Sequence, residues 1–455
     1  MTTAPDPGIF KAYDIRGIHP DQITADLASR IGRAFVAFLG ARRIAVGRDM
    51  RLSSPELAAA FIDGARTQGA DVVDYGLAGT DMLYYGVARD GLDGGAEITA
   101  SHNPKQYNGM KLVRRQALPL SGDAGIAEIR DMVIGDRIPA PPAARGRLRS
   151  ADILDDYVEH VLGFIDPAAV RPYSLVLDAG SGIGGLVAPP LFDRLPCRTT
   201  RLCFDIDGSF PHHEANPLIE ENRRQAVDRV TAEGADGAIA WDGDADRCFF
   251  IDGEGGFVPG DFVTALLAEA FLRKQPGATV IYDVRASRAV ADVVGAHGGT
   301  ALMNRVGHAF FKKRMREENA VFGGEVTGHY YFRDNFFADN GFIPALLVLE
   351  LMSVRGKTLG ELLAPLRQRY FLSGEINTEM ADMDAVRDTL EQLAARYAGA
   401  RVHRMDGVSV DYAEWHFNVR PSNTEPLIRL NLEAADPGLM EEKRDEVLEV
   451  IRRGA

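Results

Sequence analysis

The chain has 455 residues, 46% of them hydrophobic and 25% charged, which excludes a disordered polymer and leaves room for about three folded domains. Acidic side chains outnumber basic ones 65 to 51, a formal net charge of -14, so a nucleic-acid binder with a broad basic face is disfavoured and a small anionic ligand stays open. Three cysteines, Cys197, Cys203 and Cys248, lack a C-x-x-C spacing and indicate neither a disulfide framework nor a zinc site. The first thirteen residues have no apolar core, and the greasiest run, 342–349, is cut by Glu350 well short of membrane-spanning length. This predicts a cytoplasmic protein with neither membrane nor nucleic-acid partners.

In chain order, Phe10-Lys11-Ala12-Tyr13-Asp14-Ile15-Arg16-Gly17 precedes a helical pattern over 26–39, a strand over 43–47, a helix over 54–68 and a strand over 71–74. Glu97-Ile98-Thr99-Ala100-Ser101-His102-Asn103-Pro104 then reads as an extended run closed by an Asn-Pro turn, with Ser101 at a strand tip. Asn108-Gly109 reads as a hairpin turn that returns 110–113 as a strand and brings Lys111 back near Ser101. Pro139-Ala140-Pro141-Pro142 reads as a linker, so the first segment spans 1–150. The second, 151–254, carries a helix over 153–165 and a strand over 174–178. There Gly180-Ser181-Gly182-Ile183-Gly184-Gly185 matches G-x-G-x-x-G, but Asp205 lies too far downstream for the usual dinucleotide partner. A tight turn with close helix-strand packing is the expectation. The third, 255–367, holds a strand over 278–284 and an apolar helix over 344–351. The last, 368–455, combines helices over 382–396 and 437–452 with strands near 415–419 and 427–432. The class is α/β, with three mixed α/β domains and a C-terminal α+β domain.

Four stretches carry chemistry. Ser101 beside His102 is a nucleophile, a phosphate carrier, a metal ligand or a turn residue. Asp242-Gly243-Asp244-Ala245-Asp246-Arg247 packs three carboxylates into five positions after an apolar strand, and a hard divalent cation relieves their repulsion. An EF-hand is excluded, because Arg247 stands where that loop requires glycine and Gly253 where it requires glutamate. Mg²⁺ that also holds a phosphate oxygen fits the small ligand count better than caged Ca²⁺. Gly323-Gly324-Glu325-Val326-Thr327-Gly328-His329 sets three hydrogen-bonding side chains at alternate positions, suited to sugar hydroxyls. Arg420-Pro421-Ser422-Asn423-Thr424-Glu425-Pro426 offers the donors a phosphate needs. Gly356-Lys357-Thr358 resembles the end of a P-loop, but Leu351 occupies the first glycine position.

Together with Tyr13-Asp14-Ile15-Arg16-Gly17, these loops resemble, in order and along essentially the whole chain, those of the α-D-phosphohexomutase family, the phosphomannomutase and phosphomannomutase/phosphoglucomutase branch in particular. The resemblance implies four domains around a central cleft, Ser101 as a phosphoserine, and Mg²⁺ held by its phosphate with Asp242, Asp244 and Asp246. It implies catalytic or orienting roles for Arg16, His102, Lys111, Arg247 and His308. Tyr13, Arg285, Glu325, Thr327, His329, Arg420, Ser422, Asn423 and Thr424 become substrate contacts. The implied reaction interconverts mannose 6-phosphate and mannose 1-phosphate through a hexose 1,6-bisphosphate, with glucose phosphates as further substrates, in a monomer or weak homodimer. The alternatives are a phosphoglucosamine mutase and a metal-dependent sugar-phosphate phosphatase. Arg285 in place of a common lysine, Val326 in place of methionine and Thr327 in place of serine bear on sugar preference. Asn423, where the glucosamine branch usually has glycine, argues against that substrate.

Overall fold

The structure, a computed structural model, describes residues 5–422 and 426–454. Of the phosphate-loop residues expected above, Asn423 and Thr424 lie outside the described residues. The chain gathers into two compact units, one made of the chain up to Val258 with Gly307–Asn319 and Thr327–Leu359, the other of Pro259–Val306, Ala320–Val326 and the chain from Gly360 onward.

In the first unit a mixed sheet runs in the order Ile15–Ile18, Tyr107–Arg114, Gly94–Ile98, Arg43–Arg48, Asp71–Leu77 and Leu148–Ser150, with Leu118–Pro119 paired to Tyr107–Arg114. Tyr107–Arg114 is antiparallel to its neighbours, whereas Gly94–Ile98, Arg43–Arg48, Asp71–Leu77 and Leu148–Ser150 are mutually parallel. The helix Ala25–Leu39 starts where the Thr24 side chain accepts from the Leu27 amide and stops at Gly40 in the left-handed conformation, as its propensities dictate. Its apolar face, with Ile31 and Phe35, packs beside Phe61 of the helix Ser54–Thr67 over Ile44, Val46 and Ile98 of the sheet.

The hairpin expected at Asn108-Gly109 is not there. Both residues lie inside the strand Tyr107–Arg114, and the reversal occurs earlier, between Ile98 and Tyr107. Asn108 is fully buried, its amide donating to Ser53 Oγ at 2.7 Å and Ser54 Oγ at 3.0 Å. A Cβ on Gly109 would meet the Ile15 carbonyl oxygen at 2.0 Å. Close strand approach, not a turn, requires the glycine. The consequence expected for Lys111 still holds, because Glu97 pairs with Lys111 across the two strands.

The second sheet of this unit runs Cys248–Asp252, Gly237–Trp241, Ser174–Asp178, Arg198–Leu202. Asp242 to Arg247 therefore form the loop of an antiparallel pair. The glycine-rich turn after Ser174–Asp178 leads into the helix Gly184–Phe192. A Cβ on Gly182 would meet the Gly243 carbonyl oxygen at 2.5 Å, and the Ile183 amide donates to that oxygen at 3.0 Å. These glycines let the turn press on the acidic loop. The apolar helix extends over Ile343–Arg355, and its Glu350 accepts from the Asp166 amide.

The second unit holds the parallel strands Thr300–Asn304, Thr279–Asp283 and Phe322–Gly324. It also holds a five-stranded antiparallel sheet in the order Phe371–Glu379, Leu427–Ala434, Trp415–Pro421, Val408–Asp411, Arg401–His403, covered by the helices Met383–Arg396 and Pro437–Arg453. Phe371–Glu379 escaped sequence reading because its side chains show no period-two apolar pattern and none is fully buried. Among the described residues no helix is long and apolar enough to cross a membrane.

Candidate active site

Ser101 lies three residues beyond its strand, in the left-handed region at φ 48° and 3% exposed. A non-glycine residue held there stores backbone strain, and surrounding groups hold it. The fully buried Arg51 guanidinium donates to the carbonyl oxygens of Ser101 (2.8 Å), Asn103 (2.5 Å), Pro104 (2.8 Å) and Tyr107 (3.0 Å), while Asp49 lies 3.2 Å from Arg51 Nε. Arg16 donates to Asn103 Oδ1 at 2.5 Å and pairs with Asp14 at 2.5 Å.

The Ser101 hydroxyl donates to Asp242 Oδ2 at 2.7 Å and lies 3.2 Å from His102 Nδ1. Burial, then the nearby Arg247 and Arg16, push the His102 imidazole well below its usual range, so it is neutral at neutral pH. Gly243 must be small here, since a Cβ would meet the Ser101 carbonyl oxygen at 2.5 Å. Close approach of two loops thus brings the serine onto the carboxylates.

Asp242, Asp244 and Asp246 are all buried, and one oxygen of each falls within 4.8 Å of the others. Arg247 donates from Nε to Asp242 Oδ2 at 2.8 Å. Lys111 Nζ donates to Asp244 Oδ2 at 2.7 Å and to Asp246 Oδ2 at 2.5 Å, and Thr80 donates to the same Asp244 oxygen at 2.5 Å. Burial opposes the Lys111 charge, but Asp244 and Asp246 outweigh it and hold the ammonium well above its usual range. Burial and Asp244 raise the Asp246 carboxyl. Asp244 Oδ1 and Asp246 Oδ1 are buried with no hydrogen-bond partner among the described residues. Buried acceptors of this kind, in an all-oxygen set, fit a hard divalent cation.

His329 Nδ1 lies 3.1 Å from Asp339 Oδ2 and 3.9 Å from Asp246 Oδ1. Asp339 also pairs with the buried Lys312 at 2.7 Å, whose ammonium sits 4.0 Å from the centre of the Tyr84 ring. His308 packs edge-on against Tyr13 at 5.5 Å and 6.3 Å from the His329 ring. Burial, then Lys312, drives the His308 imidazole well below its usual range. The first unit therefore brings together Tyr13, Arg16, Ser101, His102, Lys111, the three aspartates, Arg247, His308 and His329. Sequence reading missed Arg51, Thr80, Lys312 and Asp339, which stand far from the motifs in the chain.

The other expected contacts lie in the second unit. Arg285 forms a two-pronged pair with Asp283 (2.7 and 3.2 Å) and reaches Glu325 at 3.8 Å and Glu375 at 3.4 Å. Arg420 and Arg429 approach the same Glu375 at 3.8 and 3.2 Å. Burial opposes the Glu375 charge, but Arg285, Arg420 and Arg429 hold its carboxyl below the usual range. Ser422 is buried, its amide donating to the Leu427 carbonyl at 2.8 Å. Three guanidinium groups on one carboxylate suit exchange with an anionic ligand. Of the residues expected to meet sugar hydroxyls, Glu325 belongs to this unit and Thr327 and His329 to the first.

Four models of phosphoglucomutase/phosphomannomutase domains match in succession: the alpha/beta/alpha domains I, II and III over residues 7–136, 155–256 and 259–370, and the C-terminal domain over 375–450. A phosphomannomutase of Escherichia coli is 43% identical over 453 residues, covering 97% of this chain and 99% of its own. The chain belongs to the phosphoglucomutase/phosphomannomutase family. Within it, a protein of Xanthomonas campestris named "phosphohexose mutases" is 43% identical over 97% of this chain and 99% of its own. A solved family member from Burkholderia thailandensis superposes with a TM-score of 0.89 at 32% identity, covering 99% of this chain and 98% of that one. The sequence-level resemblance and the mixed α/β class both stand.

Proposed function

We propose that this enzyme interconverts mannose 6-phosphate and mannose 1-phosphate, and the glucose phosphates as well, through a phosphoserine at Ser101 and a hexose 1,6-bisphosphate. The observation that carries this reading is the Ser101 hydroxyl, 2.7 Å from Asp242 beside two further buried carboxylates, in a full-length relative of phosphomannomutases. In the first half-reaction the Oγ–P bond of phosphoserine 101 breaks as a sugar hydroxyl oxygen bonds the same phosphorus. The hydroxyl proton leaves to a base of the site. The bisphosphate then returns its other phosphoryl group to Ser101, so no phosphate is consumed.

Mg²⁺ is the cation that fits, held by Asp242, Asp244, Asp246 and the serine phosphate, where it would offset charge on the transferring group. Arg247 adds a fixed positive charge beside Ser101, and Arg16 with Arg51 fixes the serine loop. Lys111 and His308 are the candidates for moving or orienting the proton. His308 suits acceptance because its imidazole is neutral, whereas Lys111 is charged and suits orientation. Arg285, Arg420 and Ser422, with Asn423 and Thr424, would hold the phosphate that is not transferred. Tyr13, Glu325, Thr327 and His329 would contact the sugar.

The same reading divides the chain into four domains, 1–150, 151–254, 255–367 and 368–455. It also implies a cytoplasmic location and a monomer or weak homodimer.

The test is intact-mass and peptide analysis of freshly purified protein, together with a coupled assay that follows mannose 6-phosphate and free phosphate in parallel. A phosphate on Ser101 that increases with added 1,6-bisphosphate, and turnover without phosphate release, are expected. Stoichiometric free phosphate would replace the mutase by a phosphatase. A glucosamine phosphate turned over faster than both hexose phosphates would move the chain to another branch of the family.

A further inference from the structure

A second group of metal-ligating side chains stands apart from the acidic loop. Asp178 ends the strand Ser174–Asp178, Cys203 follows the strand Arg198–Leu202, and His213 lies in the segment after it. Ligand atoms of the three fall within 4.8 Å of one another. His213 Nε2 is 3.2 Å from Asp178 Oδ2 and 3.6 Å from Cys203 Sγ. A tetrahedral zinc with Zn–S of about 2.3 Å and Zn–N or Zn–O of about 2.0 Å has S···N and N···O edges of roughly 3.5 and 3.3 Å. The two edges at His213 have that size before any ion is considered.

The hydrogen-bond pattern points the same way. His213 Nδ1 lies 2.9 Å from the Glu214 carbonyl oxygen, which can only accept, so Nδ1 carries a proton and stays oriented. Metal-ligating histidines are usually oriented by such a bond. Burial opposes the imidazole charge, but the Asp178 carboxylate at Nε2 holds it protonated up to about pH 10, so a metal at Nε2 takes the place of that second proton. Asp178 Oδ1 accepts from the Gly180 amide at 2.9 Å, which fixes the carboxylate with Oδ2 turned to the imidazole. Asp178 is buried, and Cys203 and His213 are half-buried, so the thiol is both held and reachable. Cys203 also adopts φ 53°, a left-handed conformation disfavoured for cysteine.

We propose that Asp178, Cys203 and His213 form a zinc site, with Cys203 as thiolate and a fourth position open to water. Binding displaces the thiol proton and the His213 Nε2 proton to solvent. Thiolate, imidazole and carboxylate select zinc over magnesium, whereas the all-oxygen Asp242 loop has the opposite preference.

The ion would act as a clamp. The Ser181 amide donates to the Cys203 carbonyl at 2.8 Å, and the Ile183 amide of the same turn donates to the Gly243 carbonyl at 3.0 Å. Pinning Cys203 and His213 to Asp178 would stiffen the turn on which the acidic loop rests. The site is independent of the reaction proposed above and stands if that reading falls.

Cobalt(II) titration of the metal-free full-length protein in excess Mg²⁺ tests it, because only a site with a thiolate gives a sulfur-to-cobalt charge-transfer band. The band is expected in the wild type and in D244N, displaced by one equivalent of zinc, and lost in C203S and H213A. Zinc should also raise the wild-type Tm by a few degrees and leave that of C203S unchanged. Absence of the band in the wild type, or its survival in C203S, overturns the proposal. Should the variants fail to fold, alkylation of the wild type mapped by mass spectrometry decides. Zinc should slow modification of Cys203 at least about tenfold while leaving Cys197 unaffected. Equal rates with and without zinc would mean a hydrogen-bonded thiol only.

Discussion

The serine-aspartate cluster of the first unit and the arginine cluster of the second use the same charged groups in opposite ways. In the first, Asp242, Asp244 and Asp246 face Lys111 and Arg247, leaving carboxylate in excess and two carboxylate oxygens without a hydrogen-bond partner among the described residues. In the second, Arg285, Arg420 and Arg429 meet Asp283, Glu325 and Glu375 in balance. The first has a carboxylate excess that a hard divalent cation would relieve. The second is balanced in charge, although Arg420 Nε and Arg429 Nε are buried without a hydrogen-bond partner among the described residues, so a phosphate bound there would compete with Glu375 and also take up unused donors. A deficit of charge should give an all-or-none dependence on the metal, and a balanced network a graded effect on substrate affinity.

The largest expected effect breaks the first cluster at its carrier. Ser101→Ala should lower kcat by about a thousandfold or more while retaining sugar-phosphate affinity, because groups that bind the ground state remain. Calorimetric Kd values beside steady-state rates check this, and turnover like wild type would remove Ser101 from the chemistry. Next comes Asp244→Asn, expected to weaken Mg²⁺ binding and lower kcat by about a hundredfold. The fold should survive, since an amide keeps the acceptor for Thr80 and Lys111. Thermal melting with and without Mg²⁺ reads both effects.

In the arginine cluster, Arg420→Ala should act mainly on KM, raising it about tenfold to a hundredfold, because a charge-assisted contact to phosphate is worth roughly 1.5–3 kcal/mol. A fall in kcat with KM unchanged would instead place Arg420 in the transition state. The smallest effect sharpens the comparison most. Glu375→Gln removes the anion that competes for the guanidinium groups, so KM should fall by about twofold to fivefold, opposite in sign to any lesion at Asp242, Asp244 or Asp246. A rise in KM would mean that Glu375 positions the arginines more than it competes with the ligand.

The metal candidates were readable because their chemistry is contiguous: three aspartates alternate with small residues at the end of an apolar strand, and that spacing survives folding. Ser101 was readable as a serine in a turn, although its strand stops at Ile98. Arg51 was not, since a lone arginine after a strand looks like any solvated cation until four carbonyl oxygens converge on it. Asn108-Gly109 misled because its dipeptide favours a turn, whereas burial of the Asn108 amide and contact of Gly109 with Ile15 override local preference.

Local order along the chain determined the alternation of strands and helices, the helix limits near 25–39, 383–396 and 437–453, and the loops bearing Ser101, Asp242 and Glu325, whereas Arg420, expected to open a loop after a strand ending at 419, lies inside the strand Trp415–Pro421 opposite Arg429. Those properties depend on periodicity, caps and neighbouring residues, which the sequence states directly. Tertiary structure alone decided that Lys111 bridges Asp244 and Asp246, that Glu375 gathers three arginines, and that Cys203 meets His213 and Asp178. Each of these contacts joins groups on different strands or loops, and its energy depends on burial and on distances that packing sets.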